Sequence, residues 1–207
     1  MTKLNRQKWL KIGAITLAGG VLVGALGYYN FLYKDTVGAL LLDECPNFTL
    51  DYIYSGNNGE MTIDESKTFT MADQSGKVVV LNFWATYCQP CIKEIPHFNQ
   101  FYETYKNQGL EVVILNNELI YTAQQLLDGY INNPANEYYE NYYSKWSTYT
   151  CTFGKFDSDN DIFNMFEVSP ALPVTIVVNK AGIITYMRSG SLSEQDLEDI
   201  VLPLLAE

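Results

Sequence analysis

Cys88 and Cys91 stand three residues apart in the stretch Trp84-Ala85-Thr86-Tyr87-Cys88-Gln89-Pro90-Cys91-Ile92-Lys93-Glu94, where a buried strand is predicted to end and a helix to begin. The first turn of a helix carries unpaired N–H groups and positive potential, typically worth ~0.3–1 kcal/mol to an anion. Thiolate is the reactive form of cysteine, and such a position lowers a thiol pKa from ~8.5 into the range ~3.5–7.5. Cys88, at or before the first turn, is the expected exposed nucleophile; Cys91, one turn inside, is the expected buried resolving thiol. Together they can exchange a dithiol for a disulfide through a mixed-disulfide intermediate. Glu94 follows Cys91 by three residues, so the two project from one helix face. A partly buried carboxylate there can take or give the proton of the resolving thiol.

Far along the chain, Leu172-Pro173-Val174 enters a strand directly, a place from which proline is ordinarily excluded. A cis Leu172–Pro173 bond fits that position and leaves Leu172 free to pair its backbone with a partner. Trp84, Gln89, Pro90, Leu172 and Pro173 are the candidate substrate-binding residues. Cys45 and Cys151 remain, and with Cys88 and Cys91 paired a single further bridge, Cys45–Cys151, is possible. It would close a loop of roughly 100 residues, worth up to ~4.7 kcal/mol by chain entropy. Two separate buried thiols are the alternative. A zinc site would need Cys45 and Cys151 as isolated ligands, a rare pattern. The single histidine, His97, reads as a surface helix residue. No metal and no cofactor beyond a redox-active Cys88–Cys91 disulfide is expected.

The elements that must position these groups follow from the apolar pattern. Phe48 to Tyr54 alternates and runs into a turn at Ser55–Gly59, with a returning strand over 61–71. Val78 to Trp84 is a near-continuous apolar run, the pattern of a central strand buried on both faces. A helix is predicted from about Pro90 to Lys106, stopped by Gly109, then a buried strand from Leu110 to Leu115. Thr122-Ala123-Gln124-Gln125 is a capping box opening a helix that breaks near Asn133-Pro134. A second helical stretch is predicted over 135–146, strand over 149–153, and a short helix over 159–166. Val174 to Val178 and Ile183 to Arg188 flank the turn at Asn179–Gly182, and Ser193 caps a last helix ending near Leu205. Strands alternating with helices indicate a three-layer α/β sandwich with a mixed sheet.

Length and charge bound the remainder. A chain of 207 residues with 47% hydrophobic content can bury a full core, which excludes a disordered class. The net charge of −11 excludes a nucleic-acid binder, which needs a basic footprint. Its distribution is uneven: residues 1–33 hold four basic side chains and no acid, whereas residues 34–207 hold 9 basic and 24 acidic ones. Between head and body, Ile12 to Tyr33 is an uncharged run of 22 residues, enough to cross the ~30 Å hydrocarbon core as a helix. The expected organisation is a cytoplasmic head at 1–11, a transmembrane signal-anchor at 12–33, a linker at 34–44 and a folded domain at 45–207. The positive-inside rule places the N-terminus in the cytoplasm and the acidic body outside. The competing reading is a signal peptide cleaved near Val37-Gly38-Ala39, although 22 residues exceed the usual ~7–15-residue apolar region. Either reading exports the body into a compartment that permits disulfides.

With these residues in place, the chain resembles the membrane-anchored, thioredoxin-like thiol-disulfide oxidoreductases of the TlpA/ResA type. The resemblance covers roughly residues 43–205. It is carried by Cys45-Pro46-Asn47-Phe48-Thr49-Leu50, by Asn82 to Pro96, by Val168-Ser169-Pro170-Ala171-Leu172-Pro173-Val174-Thr175, and by the turn Asn179 to Gly182. It implies a thioredoxin-like fold with Cys88 as attacking cysteine, Cys91 as resolving cysteine, Glu94 as helix carboxylate and Pro173 as cis-proline. Asn82 stands where many cytosolic thioredoxins carry a buried Asp, leaving Glu94 as the acid–base group. The implied activity is reduction of disulfides in exported proteins, such as cytochrome c apoproteins, on the outer side of a bacterial cell membrane. A membrane thiol electron donor would re-reduce the pair. Two rivals remain: an oxidising disulfide donor of the same fold, and a non-catalytic binding module docking through the Tyr-rich series Tyr138, Tyr139, Tyr142, Tyr143, Trp146 and Tyr149. At three- to four-residue spacing, that series also reads as packing for an inserted helix. A thiol peroxidase is disfavoured because no Pro-x-x-x-Thr-x-x-Cys pattern surrounds Cys88.

Overall fold

The computed structural model describes residues 41–116, 118–156, 165–166 and 171–207. The expected membrane span at 12–33, the alternative cleavage site at 37–39 and most of the helix expected over 159–166 lie outside the described residues. Among the described residues no helix is long and apolar enough to cross a membrane.

The strands are β1 (Tyr52–Asn57), β2 (Glu60–Ile63), β3 (Val78–Trp84), β4 (Leu110–Asn116), β5 (Thr152–Lys155), β6 (Val174–Val178) and β7 (Ile184–Ser189). They form one mixed sheet in the order β2-β1-β5-β4-β3-β6-β7. β3, β4 and β5 run parallel at its centre, and an antiparallel hairpin is added on each side. β3 is buried along its whole length. Its side chains alternate: Val78, Val80 and Trp84 face one apolar cluster, and Val79, Leu81 and Phe83 face the other. A period of two puts these clusters on opposite faces of the sheet.

The first face is covered by helix α1 (Gln89–Tyr105), by a segment between β4 and β5, and by the last helix. α1 runs through Pro96 and ends against the left-handed Gly109 (φ 88°) that leads into β4. The covering segment opens with the predicted capping box at Thr122, but its α-helix α2 spans only Ala123–Leu126 before a π-helical turn, Leu127–Ile131. The long helix expected over 135–146 is a second π-helical turn, Tyr139–Tyr143, followed by the short α3 (Ser144–Trp146). The last helix, α4 (Glu194–Leu205), begins at the Ser193 capping box and buries Leu197, Val201 and Leu205. On the second face, Phe48, Leu50, Phe69, Met71, Phe156 and Phe166 cover the sheet.

Local differences from the sequence expectation have plain causes. β1 continues through Asn57, because Asn58 (φ 50°) and Gly59 (φ 89°) alone turn the chain as a two-residue hairpin loop. Strand β5 begins at Thr152 instead of Tyr149, in register with β4 from Val113 onward. Gly56 has no room for a side chain: a Cβ there would overlap the Ser147 carbonyl, so the covering segment lies directly on the β1 backbone.

Candidate active site

The end of β3 delivers the chain through Ala85 and Thr86 to Cys88, the N-cap residue of α1. Cys88 and Cys91 are joined as a disulfide, with their Cα atoms 5.3 Å apart. The Cys88 sulfur accepts the Cys91 backbone N–H at 3.3 Å. One of the helix's orphan donors therefore points at the sulfur that would carry thiolate charge. Pro90 occupies the first turn, where its missing N–H costs no intrahelical bond. Cys91 is fully buried, and Cys88 is 5% exposed. The expected exposed nucleophile thus shows only a narrow face to solvent, because Ala85 and Trp84 pack with it in the core. Gln89 and Pro90 are exposed beside it.

Glu94 is 3% exposed. Its Oε1 accepts from Asn82 Nδ2 at 2.9 Å and its Oε2 from the Leu192 N–H at 3.1 Å. Burial outweighs these bonds and pushes the carboxyl up to about 7. Asn82 Nδ2 also donates to Thr175 Oγ1 at 3.2 Å. The carboxyl therefore sits in a buried amide–hydroxyl cluster spanning β3, β6 and the approach to α4.

The Leu172–Pro173 peptide is cis, as the sequence predicts. Val174 lies opposite Phe83 in the β3–β6 register, so Pro173 enters the sheet at the end of β3 from which the Cys88 loop leaves. Leu172 is half-buried and Pro173 buried.

Two sequence expectations are corrected. Cys45 and Cys151 do not form a bridge; both are free thiols. Cys151 belongs to the cluster on the helix-covered face, and Cys45 packs against the cluster on the other, so the sheet stands between them. Burial pushes Cys45 up to about 12 and raises Cys151 further, which disfavours the thiolate at both. Trp84 is 1% exposed and packs edge-on against Trp146 with ring centroids 5.0 Å apart. It supports the site from beneath the covering segment and offers no face to a substrate. Tyr143 and Trp146 are likewise buried, so this part of the Tyr-rich series is packing. His97 is exposed, as expected. Among the described residues no group of three or more His, Cys, Asp or Glu side chains could hold a metal ion.

Sequence reasoning missed Glu118. Its carboxylate is buried and accepts from the Thr86 N–H at 2.6 Å, the Thr86 hydroxyl at 2.7 Å and Asn116 Nδ2 at 3.0 Å. Its own N–H donates to Asn116 Oδ1 at 3.0 Å. The Cys88 loop is thereby fastened to the end of β4. In the sequence, an acid among loop residues after a strand reads as solvent-facing, and only the parallel β3–β4 pairing brings it to Thr86.

Residues 41–187 match the AhpC/TSA family. A curated relative, the thiol-disulfide oxidoreductase ResA of Halalkalibacterium halodurans, is 28% identical over 201 residues, covering 95% of this chain and 94% of the relative. ResA of Bacillus subtilis is also 28% identical, over 95% of this chain and 93% of its own. Among solved structures, a thioredoxin-family thiol:disulfide interchange protein from Chlorobium tepidum superposes with a TM-score of 0.54 at 21% identity, over 78% of this chain and 95% of that one. The thioredoxin domain of a Bacteroides vulgatus thiol-disulfide oxidoreductase gives 0.55 at 17%, over 80% and 97%. These likenesses establish the thioredoxin-like α/β fold.

Proposed function

The chain belongs to the AhpC/TSA family, and from that premise and the surroundings of Cys88 we propose that it reduces disulfides of exported proteins on the outer side of a bacterial membrane. Thiol-disulfide oxidoreduction is the chemistry its ResA relatives are named for. The observation that carries the reading is the Cys88–Cys91 pair at the start of α1, with the Cys91 N–H on the Cys88 sulfur and a buried carboxyl one turn further on.

The reaction begins from the dithiol. Cys88 thiolate, held by the helix N–H, attacks one sulfur of a target disulfide. An S–S bond forms between Cys88 and the target, and the other target sulfur leaves as thiolate. Cys91 loses its proton and attacks the Cys88 sulfur, which expels the second target sulfur and closes the Cys88–Cys91 bond. Two electrons pass to the target, which takes up two protons. Glu94, raised to about 7, is poised to accept the Cys91 proton at neutral pH. A membrane thiol donor returns the pair to the dithiol. Apolar residues 12–33 serve as the anchor, and cytochrome c apoproteins are the substrate class to which the resemblance points.

A Cys91→Ser chain tests this directly. With resolution blocked, exported cysteine proteins should remain disulfide-linked to Cys88 on non-reducing gels, and Cys88→Ala/Cys91→Ser should capture none. Absence of any adduct would overturn the redox reading. A reduction potential near or above roughly −150 mV would reverse the proposed direction in favour of an oxidising donor.

A further inference from the structure

We infer that Glu118 is a positioning residue for Cys88: its buried charge, held on the Thr86 N–H and hydroxyl, opposes the helix N-terminus and keeps the pair reducing; this rests on the exchange chemistry proposed for Cys88. Glu118 is 6% exposed, and no step of that chemistry uses it. Its side chain accepts three bonds, from the Thr86 N–H at 2.6 Å, the Thr86 hydroxyl at 2.7 Å and Asn116 Nδ2 at 3.0 Å, and donates none among the described residues. A side chain that only accepts is the ionised carboxyl. The charge is fixed on the turn that presents Cys88, which the Cys88 N–H closes on the Ala85 carbonyl at 3.0 Å. From β5, Lys155, 2% exposed, braces the same corner. Its Nζ donates to the Glu118 main-chain carbonyl at 2.9 Å and to the Phe156 carbonyl at 3.1 Å.

Two effects meet at the Cys88 sulfur. The Cys91 N–H at 3.3 Å and the helix N-terminus favour its thiolate. The Glu118 charge disfavours it. Thr86 precedes Cys88 by two residues, which span at most ~7 Å, so a charge bound to the Thr86 N–H lies within roughly 10 Å of Cys88. At an effective dielectric of ~20, a unit charge at that range moves a thiol by about one pKa unit, tenfold in its acid dissociation constant. Residues 84–92 and 171–178 contain no charged side chain, so neither the loop nor the cis-proline strand offsets it. On α1 the facing groups are Glu94, raised by burial to about 7, and the exposed Lys93. The covering segment brings Tyr121, raised chiefly by its bond to Tyr130, and Tyr143, raised by burial and then by the Glu118 charge. Lys93 and Lys155 oppose Glu118, and Lys93 does so from solvent, where salt screens it. Reduction of the disulfide creates the Cys88 thiolate. An anion beside it therefore disfavours the reduced form and makes the dithiol the stronger donor of electrons.

The test uses the full chain and Glu118→Gln, which keeps an acceptor for the Thr86 N–H, turns an amide NH2 to the Thr86 hydroxyl and removes the charge. Alkylation of Cys88 by iodoacetamide in the reduced chains, followed by peptide mass across a pH series, reads the thiolate. Its midpoint should fall by about one pH unit in the variant. Equilibration with glutathione reads the potential. Above both midpoints Glu118→Gln should be about tenfold easier to reduce, a potential about 30 mV less negative. Below both midpoints, where neither chain carries thiolate, the two potentials should converge. Coincident alkylation profiles, or a potential offset of one size at every pH, would overturn the inference and leave the exchange chemistry standing. Thr86→Val removes a fastening bond and keeps the charge; a midpoint that falls as far in this variant would assign the effect to loop geometry, which also overturns it. If Glu118→Gln does not fold, Lys155→Met carries the test with the opposite sign: loss of the cation should raise the midpoint, and one that falls or stays in place refutes the proposal. A native chain whose Cys88–Cys91 pair exchanges with glutathione at no pH would instead sink the oxidoreductase reading, and this inference with it.

Discussion

Replacing Glu94 by Gln separates the proton of this carboxyl from its place in the packing. The group is 3% exposed and raised to about 7, chiefly by burial. In the unfolded chain a Glu titrates near 4.3. A carboxyl whose folded pKa is raised contributes stability that is fully present below the unfolded value; it declines as pH rises and is lost above the folded one. A shift from ~4.3 to ~7, at ~1.36 kcal/mol per pKa unit, amounts to about 3.7 kcal/mol in all, of which about 3 falls between pH 4.5 and 8.5. Gln retains the shape and an acceptor for the Leu192 N–H, and once the Asn82 amide turns over, the Gln NH2 can donate to Asn82 Oδ1, which has no partner among the described residues. Urea unfolding of the oxidised chain at a series of pH values from 4.5 to 8.5 measures the difference. The native chain should lose roughly 3 kcal/mol relative to Glu94→Gln across that range, with the variant the more stable of the two at pH 8. Parallel curves would refute the reasoning, since they would mean that Glu94 ionises in the fold as it does in water. The proposed base for Cys91 would then be lost as well.

Other perturbations bear on the surrounding scaffold. Glu118→Ala strands the buried Thr86 N–H and hydroxyl, so unfolding free energy should fall by about 1–3 kcal/mol, measured by denaturant titration. Gly56→Ala drives a Cβ into the Ser147 carbonyl; a loss of about 1–3 kcal/mol is expected, and an unchanged midpoint would show that the covering segment yields freely. Trp146→Ala empties a fully buried site against Trp84, Tyr143 and Phe153, with an expected cost of about 3–5 kcal/mol in the same titration. Cys45→Ser/Cys151→Ser should leave the disulfide-reduction rate unchanged, and native thiol titration of the oxidised chain with a bulky reagent should find neither thiol reactive.

Much of this protein is written in short-range signals. The seven buried residues of β3, the Cys88–Cys91 spacing at a helix start, the Gly109 stop and the capping boxes at Thr122 and Ser193 each depend on residues within a few positions of one another. Backbone sterics and orphan helix donors act over that same distance, which is why these features are legible without coordinates. The proposed membrane anchoring rests on sequence pattern alone, on the uncharged run and the basic head.

What only the tertiary structure decided depends on strand order, which has no local signature. β5 inserts between β1 and β4, and that placement sets Cys151 on one face of the sheet while Cys45 lies on the other, undoing a bridge that cysteine counting allowed. The parallel pairing of β3 with β4 brings Glu118 to Thr86 across 32 residues, and the packing of α4 brings the Leu192 N–H to Glu94 across 98. Trp84 adjoins the reactive pair in sequence, yet the covering segment folds over it and makes it core. The sequence by itself singled out the Cys88–Cys91 pair at a helix start, because the spacing and the helix turn are local properties. The fold decided what surrounds them, because burial and charge at a site are summed over every element that reaches it.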